Sequence, residues 1–267
     1  MVPTSAAETQ RSHRQVWETK PVLREVYGHL YRRIAAACRP GITIEVGGGS
    51  GNFKQFAPDV LSFDIVHEPW LDLVADAQAI PLRSESVANI VMLDVLHHIE
   101  YPVRFLREAA RVLRPGGRVI FVEPGITAVS GIVYRTAHEE PVDMQVDPLA
   151  EGVPDPTRDP YVGNQAIPTL LTGRYRKRLR ELEPSLTMIS LRRLSLFAYP
   201  LSGGFKQWSL ITAAGARILL RLEDRMEGFL GPVLGFRLMA VLEKRNGGAD
   251  RPLQRGPLTA ASLRDFR

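Results

Sequence analysis

Short apolar segments alternate with amphipathic ones over the first half of the chain, which predicts a parallel sheet covered by helices. Before this alternation, apolar residues recur at helical spacing from Val16 to Ile34, and the sequence RPG at 39–41 ends that helical region. Five strands follow, predicted at 42–46, 60–65, 73–75, 88–95 and 118–123, with helices at 52–57 and 101–113. The strands are apolar nearly throughout, which indicates a doubly wound α/β fold with ligands at the carboxyl edge of its sheet.

The second half of the chain lacks this regular alternation. Residues 124–183 are rich in proline, aspartate and glycine, and we expect them to form a cap inserted on the substrate side. Apolar runs at 186–199 and 236–242 predict a C-terminal antiparallel strand pair, separated by an amphipathic helix over 208–229. The main domain is therefore predicted at 41–245, with insertions at about 124–183 and 200–233, after a helical region at 1–40. Residues up to about 14 and residues 246–267 are expected to be disordered.

The composition is that of one globular domain. The chain has 267 residues, of which 45% are hydrophobic and 24% charged, and its formal net charge is +5. Cys38 is the only cysteine, which excludes an internal disulfide and a thiolate zinc site. No secretory signal and no apolar stretch of about 18 residues is recognisable, so we expect a cytoplasmic protein. The positive charge is compatible with a nucleic acid, an anionic membrane, a phosphorylated substrate or a solvated arginine-rich surface.

A glycine-rich loop after the first strand carries the strongest chemical signal. Its sequence, EVGGGSG at 45–51, permits a tight turn and lets a ligand approach the main chain, whose N–H groups favour a negative group. Asp64, at the end of the second strand, can accept hydrogen bonds from both hydroxyls of a ribose. Loop and acid together indicate an adenosine-containing ligand; the alternative is a glycine turn beside a solvated aspartate.

The third glycine comes one residue earlier than in the dinucleotide fingerprint GxGxxG, and here the chain resembles the class I S-adenosylmethionine-dependent methyltransferases. The resemblance is to the small-molecule group that includes the ubiquinone and menaquinone C-methyltransferases. It rests on EVGGGSG, SFDIV, ADAQAIPLRSESVANIVMLDVLHHI and EAARVLRPGGRVIFVEP, which follow in the family's order over about residues 41–124. It implies a Rossmann-like fold and S-adenosyl-L-methionine as cofactor, and it leaves the acceptor open.

The same resemblance implies which residues hold the cofactor. An acid and the glycine backbone would face the methionine moiety, a second acid would hold the ribose, and a third would accept from the adenine amino group. The residue pair at the end of strand four would lie along the methionine side of the pocket. The residues for the methionine moiety are Glu45, Gly47, Gly48, Gly49 and Gly51, and Asp64 is the residue for the ribose. Asp76 with Ala77 would bind the adenine, and Asp94 with Val95 would lie along the methionine side.

A catalytic base is needed only if the acceptor must lose a proton, because the sulfonium donor is already activated and alignment of the reactants supplies much of the acceleration. His97 and His98 follow strand four, and Glu123 ends strand five, so each is a candidate base. The alternative is that they support or line the pocket. Further along lies a cluster of one histidine and four acids, whose spacing matches no metal-ligand pattern, so we expect a solvated loop and no metal. Its members are His138, Glu139, Glu140, Asp143 and Asp147.

The acceptor would be determined by the C-terminal half. Residues 197–205 are aromatic and turn-rich, and the helix over 208–229 combines apolar residues with Arg217, Arg221 and Arg225. We expect these segments to form an apolar entrance flanked by the basic residues Arg174, Arg176 and Arg178, which would suit a small-molecule acceptor that is lipid-linked or phosphorylated. Peripheral contact with the inner face of a membrane would follow. The helix equally suits packing on the sheet with its arginines in water.

Three other functions remain open at this stage. An NAD(P)-dependent oxidoreductase is disfavoured by the early third glycine and by the Asp76–Ala77 segment. A nucleic-acid methyltransferase is suggested by the basic charge, but DVLH at 94–97 stands where an Asn-Pro-Pro-aromatic tetrad would be expected, so we predict no nucleic-acid partner. A donor-binding protein without catalytic activity is disfavoured by the complete pocket signature.

Overall fold

A computed structural model describes residues 6–245 of the chain, and it begins with two consecutive helices. Helix α1 spans Ala6–Thr19 and α2 spans Pro21–Ala37. Pro21 is the first residue of α2, where a backbone N–H is not needed for the helix. The two helices are therefore separated at Lys20. The expectation of disorder up to about residue 14 is therefore wrong from Ala6 onward, and the expected disordered tail at 246–267 lies outside the described residues. Trp17 is buried against Tyr31 of α2, and such packing stabilises a helix whose own apolar periodicity is weak.

The strands of the described residues form a single seven-stranded sheet. Their bounds are β1 Thr43–Val46, β2 Leu61–Asp64, β3 Leu73–Val74, β4 Val87–Leu93, β5 Leu113–Pro124, β6 Leu186–Leu194 and β7 Arg237–Lys244. The order is β3-β2-β1-β4-β5-β7-β6, in which β1 to β5 are parallel and β7 runs antiparallel to both neighbours. The predicted Rossmann-like, mostly parallel sheet with a C-terminal antiparallel strand pair is confirmed.

Helices cover both faces of the sheet. The remaining ones are α3 Pro102–Val112, α4 Ala128–Ala137, α5 Ile167–Thr172, α6 Arg176–Leu182, α7 Ala198–Ser202 and α8 Ala213–Leu234. Alternate residues of β4 face opposite layers: Ile90 and Met92 pack with α3, α5 and α6, whereas Val91 packs with α1, α2 and α8. This two-sided burial explains why β4 is apolar along its whole length.

Strand β6 ends at Leu194, five residues earlier than predicted, because the chain turns there. A carboxylate that is distant in the sequence accepts the hydrogen bonds of this turn. Ser195 has a φ of 61°, in the left-handed region. The N–H groups of Leu196, Phe197 and Ala198 then donate to the buried carboxylate of Glu223 in α8. These bonds satisfy the backbone at the start of α7, where the sequence pattern alone suggests a continuing strand.

Helix α8 buries a face that the sequence pattern does not indicate. The buried residues are Ala216, Leu220, Glu223, Glu227 and Gly231. The larger apolar residues lie about half a turn away and are exposed, namely Ile218, Leu222, Met226, Phe229 and Val233. The helix is therefore packed on the protein, as one of the two predictions states, and it also presents an apolar stripe to solvent. Between residues 6 and 245, no helix combines the length and the apolar character needed to cross a bilayer.

Candidate functional site

A cavity of about 1080 Å³ opens at the carboxyl edge of the parallel strands. It lies where β1 has β2 on one side and β4 on the other, which is the switch point at which open α/β sheets bind ligands. Its volume exceeds the roughly 300–1,000 Å³ of a usual small-molecule pocket. The cavity therefore has room for two ligands, such as a donor and an acceptor.

The glycine loop forms one wall of the cavity. Gly49 has a φ of +47°, and a Cβ built on it would meet its nearest described neighbour, the carbonyl oxygen of Gly47, only at 3.8 Å. The space in front of Gly49 is thus open to a ligand, which would be in direct contact with the main chain. Gly51 differs, because a Cβ there would come within 2.6 Å of the Trp70 indole, and it does not line the cavity. The positive φ and this packing give Gly51 structural reasons to be glycine, and its contact with the cofactor stays a prediction.

Two acids of the predicted set stand next to this loop. Asp64 lines the cavity and accepts hydrogen bonds from the N–H groups of Gly49 and Val66, both at 3.0 Å. Glu45 is 5% exposed, and its Oε2 accepts a hydrogen bond of 2.5 Å from the Ser62 hydroxyl. Burial raises the pKa of Glu45 to about 8, although the Ser62 bond acts in the opposite direction. Glu45 is therefore largely protonated at neutral pH when no cation faces it.

The remaining predicted cofactor residues also line the cavity. Asp76 accepts a 2.8 Å hydrogen bond from the N–H of Gln78, and Ala77 lies beside it. Asp94, at a φ of 61°, forms an ion pair with Arg237, and Val95 packs over Gly47. The cofactor-binding roles of these residues remain predictions, since no measured contact tests them.

Arg237 is a cavity residue that sequence reasoning missed. It is 2% exposed, its Nη2 donates to the Tyr27 hydroxyl at 3.1 Å, and its guanidinium lies 4.2 Å from the centre of the Tyr199 ring. Its Nε is buried without a partner among residues 6–245. The only available signal was a basic residue at the start of an otherwise apolar strand.

The histidine pair lies in a single 3-10 turn, Leu96–His98, directly after β4. The Nδ1 atom of His97 is 2.6 Å from Glu123 Oε2, and its Nε2 is 3.1 Å from Glu140 Oε2. Burial alone would lower the pKa of His97, but the bonds and charges of both glutamates raise it to about 9. Burial and the neighbouring His97 lower the pKa of His98 to about 3. Both imidazoles line the cavity.

Glu123 is not among the residues that line the cavity, which favours the alternative prediction that it supports the pocket over a role as base. Its side chain is fully buried, and its Oε1 accepts hydrogen bonds from the N–H groups of Val95 and Leu96, each at 2.8 Å. Its Oε2 is occupied by His97. With both oxygens bonded to the turn, Glu123 is a positioning residue that holds the 3-10 turn and the imidazole in place.

Glu140 is brought to the site although its sequence neighbours suggested a solvated loop. It reaches His97 from the segment after α4, whereas Glu139 is exposed. Gln165, which is 1% exposed, lies with its Nε2 3.4 Å from the Glu140 carboxylate and 2.7 Å from His138 Nδ1. The sequence held no signal for this approach, because it depends on how residues 138–166 fold over the sheet edge.

The half of the cavity away from the glycine loop is mostly aromatic. Its rings come from α2, α4 and the segments before and after α8, namely Tyr27, Tyr134, Tyr199, Phe205 and Phe236. Residues 199–206 contribute as expected, but α8 and the residues Arg174, Arg176 and Arg178 are not among the cavity-lining residues described. The predicted entrance built from the 208–229 helix and that basic run is therefore corrected.

Helix α1 lines the cavity and reaches from the glycine loop to the aromatic residues. Gln10 is buried and lines the cavity with Asp64, and His13 stacks on Phe205 at 4.3 Å between ring centres. Arg14 donates to the carbonyl of Ser50 at 3.1 Å and lies over the Trp70 ring. Sequence analysis missed these residues because it expected this part of the chain to be disordered.

Comparison with known proteins gives the family of this domain. Residues 44–121 match the family model described as a methyltransferase domain. The chain is 33% identical over 101 residues to the malonyl-[acyl-carrier protein] O-methyltransferase of Methylococcus capsulatus, covering 31% of this chain and 37% of that protein. It is 34% identical over 92 residues to a tRNA (carboxymethyluridine(34)-5-O)-methyltransferase of Mus musculus, covering 30% of this chain and 14% of that protein. The chain thus spans well under half the length of these relatives.

Solved structures agree on the fold. A chain from the complex of the Haloferax volcanii Trm112 methyltransferase activator with a methyltransferase superposes with a TM-score of 0.52 at 15% identity, covering 92% of this chain and 100% of that one. An S-adenosylmethionine-dependent methyltransferase of Thermotoga maritima gives 0.51 at 16% identity, covering 84% and 91%. At such identities the likeness concerns the fold alone.

The residues at the switch point fit the cofactor of this family. The open space before Gly49 is a cradle that a side chain would fill, and Asp64 and Asp76 are carboxylates that line the same cavity. A methyltransferase domain match, the mostly parallel sheet and this donor pocket agree with one another. Residues 44–121 thus match a methyltransferase domain inside the fold of S-adenosylmethionine-dependent methyltransferases, and the pocket at the switch point fits S-adenosyl-L-methionine.

Proposed function

We propose that this protein transfers the methyl group of S-adenosyl-L-methionine to a small-molecule acceptor with an apolar portion. The observation that carries the proposal is the continuity of the cavity, which joins the glycine loop to the aromatic half around Tyr27 and Tyr199. Aromatic rings with a few polar groups among them are typical of sites that bind apolar ligands and orient them. One relative is named for malonyl-[acyl-carrier protein] as its acceptor, which supports a small reacting group.

The chain's own residues bind and orient the two reactants. The cofactor supplies an electrophilic methyl group on a sulfonium. Asp64 and Asp76 would hold the nucleoside, the backbone at Gly49 would hold the methionine moiety, and α1 would exclude water from the pocket they line. The Asp94–Arg237 ion pair lines the cavity and holds the guanidinium beside the ring of Tyr199. Transfer then depends mainly on alignment and a dry site rather than on a covalent intermediate with the protein.

Donor binding tests the first half of the proposal. Calorimetry with S-adenosyl-L-methionine and its demethylated product should give saturable binding, and Asp64→Ala should weaken it by about 1.5–3 kcal/mol for each charge-assisted ribose bond lost. Asp59→Ala, an exposed aspartate of the preceding loop, is the matched control and should bind normally. Saturable binding of NADH or NADPH with no binding of either methionine nucleoside would instead favour an oxidoreductase.

Acceptor identity is tested with methyl-labelled donor. We expect label in an organic-extractable or small-molecule fraction when the protein is incubated with extracts. The tRNA-modifying relative and the net charge of +5 keep RNA as the competing acceptor class. Label recovered only in RNA, and lost on ribonuclease treatment, would overturn the small-molecule proposal and leave the methyltransferase proposal standing.

We further propose that α8 rests on an anionic membrane, from which a lipid-linked acceptor would enter. Its exposed stripe includes Phe229, which is 85% exposed, and Ile218, which is 59% exposed. The exposed residues Arg217, Arg221 and Arg225 follow the helix beside this stripe. Apolar residues flanked by arginines suit an interfacial helix, with about 1 kcal/mol of attraction per basic residue near anionic lipid.

Sedimentation with vesicles of anionic lipid tests this surface. The wild-type protein should sediment at low salt and less at high salt, because exposed charges are screened beyond about 8–10 Å. Replacing Arg217, Arg221 and Arg225 with Gln should reduce sedimentation. The control removes the same charge elsewhere, by replacing the exposed residues Arg174, Arg176 and Arg180 with Gln. Equal loss in both variants, or a wild-type protein that stays in the supernatant, would contradict a role for α8.

A further inference from the structure

Three side chains at the centre of the cavity converge in a way that methyl transfer alone does not explain. His97, His98 and Glu140 each offer one ligand atom, and these atoms lie within 4.8 Å of one another. The Nε2 of His97 is 3.1 Å from Glu140 Oε2, and the Nε2 of His98 is 3.9 Å from Glu140 Oε1. All three residues line the cavity between the donor loop and the aromatic half.

We propose that His97, His98 and Glu140 form a divalent transition-metal site. Two imidazoles and one carboxylate are the ligand set of zinc and of similar first-row metals, whereas Mg²⁺ and Ca²⁺ prefer oxygen ligands. The expectation of no metal, drawn from the sequence, considered only the acids at 139–147 with His138. It could not include the histidines after β4, which only the fold brings to Glu140.

The surroundings of His97 support this assignment independently. Its Nδ1 is 2.6 Å from Glu123, whose other oxygen is held by the N–H groups of Val95 and Leu96. Metal-binding histidines commonly donate their second ring N–H to such a carboxylate, which fixes the tautomer and directs the other nitrogen at the metal. Glu123 thereby keeps the lone pair of His97 Nε2 directed towards Glu140 and the cavity.

Two buried polar atoms next to the cluster lack partners. They are Nδ1 of His98 and Oε1 of Gln165, and neither has a hydrogen-bond partner among the described residues. Gln165 also approaches Glu140 through its Nε2, at 3.4 Å, which is the position of a residue that orients a ligand carboxylate. Its Oε1 could accept a hydrogen bond from a metal-bound water. Buried polar atoms normally find partners, so the Gln165 oxygen points to an occupant beside Glu140. The Nδ1 of His98 lies next to Gly163 instead and carries no argument for the metal.

Three protein ligands leave coordination positions that face the cavity. Sites of this kind take water or a substrate oxygen as a further ligand. This part of the inference rests on the proposed function: the acceptor would carry an oxygen, such as a hydroxyl or carboxylate, that binds the metal beside the methyl donor. The metal would then orient the acceptor, and neither imidazole would serve as a base.

Cobalt binding tests the site without any assay of methyl transfer. Full-length protein, freed of any affinity tag and of metal by a chelator, is titrated with Co²⁺, whose visible absorption reports its ligands. We expect one ion per chain and displacement of the signal by Zn²⁺. Glu140→Gln and His98→Gln should each weaken binding at least tenfold, because even outer partners of metal sites contribute about 10–100-fold. Glu139→Gln is the matched control and should bind as the wild type does.

The principal competing occupant is a proton, with His97 as an imidazolium between Glu123 and Glu140. In that case the wild-type protein would give no saturable cobalt signal while still binding S-adenosyl-L-methionine, and the metal proposal would fail with the donor proposal intact. Cobalt binding that Glu140→Gln and His98→Gln leave unchanged would also overturn it. Normal circular dichroism of the variants ensures that a lost signal reflects lost ligands and not unfolding.

Discussion

Replacement of Glu45 by Gln should stabilise the protein at neutral and alkaline pH. Glu45 is 5% exposed at the end of β1, and burial raises its pKa from an ordinary 4.5 to about 8. Between these two values the unfolded chain has lost the proton and the folded chain has kept it, so the folded state becomes less favourable as pH rises. Gln has nearly the same shape, can still accept a hydrogen bond from Ser62, and carries no charge to bury.

The size of the effect follows from the pKa difference. Each pH unit between the two pKa values lowers the free energy of unfolding by about 1.4 kcal/mol. The wild-type protein should therefore lose about 3 kcal/mol between pH 5 and pH 7.5 through this one group, and the Glu45→Gln variant should not. Titration of every other group is common to both proteins, so it cancels in the difference between them.

Urea unfolding of both proteins at a series of pH values measures this difference. We expect near-equal stability at pH 5 and an advantage for Glu45→Gln that grows with pH. Glu181→Gln, an exposed glutamate of α6, is the control and should show no such growth. If the free energies of unfolding of the wild type and of Glu45→Gln differ by no more than about 0.5 kcal/mol from pH 5 to pH 8, the raised pKa of Glu45 is refuted, because one buried charge has a larger effect.

The same protonation state has a consequence for the cofactor. The family resemblance implies that the donor's ammonium faces Glu45, and a cation there would favour the ionised carboxylate. Donor binding at pH 7 should then release on the order of one proton, because Glu45 is mostly protonated beforehand. Calorimetry in buffers of different ionisation enthalpy measures that proton. Equal apparent enthalpies for the wild type in all buffers would mean that the ammonium does not reach Glu45.

Three further substitutions have definite expected outcomes. Gly49→Ala should cost about 1–2 kcal/mol of stability through its positive φ and should reduce donor affinity, measured by calorimetry; unchanged affinity would exclude the loop as the donor site. Glu223→Ala should lower the free energy of unfolding by about 3 kcal/mol or more in urea, because three N–H groups at the start of α7 lose their acceptor. A loss below about 1 kcal/mol would contradict that role. Lys20→Met should destabilise by about 2–3 kcal/mol, since its ammonium donates to the carbonyls of Gly204, Lys206 and Trp208; an unchanged unfolding midpoint would show that these bonds are dispensable.

The donor half of the molecule was predictable because its signals are local. Strands β1 to β4 are short apolar runs that lie within two residues of their predicted bounds. Strand β5 begins at Leu113, five residues before its predicted start, because it includes the segment 115–117, whose sequence is typical of a turn. The loop at Gly49 and the acid at Asp64 are fixed by their position directly after a strand. Such features depend on neighbouring residues, which a sequence pattern records.

The errors share a different physical cause. Each involves a polar side chain that meets a partner far away in the sequence: Glu140 with His97, Arg237 with Asp94, and Glu223 with the start of α7. Periodicity contains no information about such pairs. Helix α1 belongs to the same class, because Arg11 is paired with the fully buried carboxylate of Glu68 on the glycine-loop side. Only the complete fold brings these partners together, and the Glu140–His97 and Arg237–Asp94 pairs line the cavity.

The buried face of α8 explains how this protein can leave apolar residues in water. In most surface helices the largest apolar residues face the core, because their burial is the main gain of packing. Here the contact with α2 includes ion pairs of Arg33 with Asp224 and Glu227, and the contact with the α7 turn uses the hydrogen bonds of Glu223. Because charged and hydrogen-bonded groups attach the helix, Leu222, Met226 and Phe229 are not needed for its packing. Their exposure has no structural reason within the described residues, and a contact with another surface would supply one.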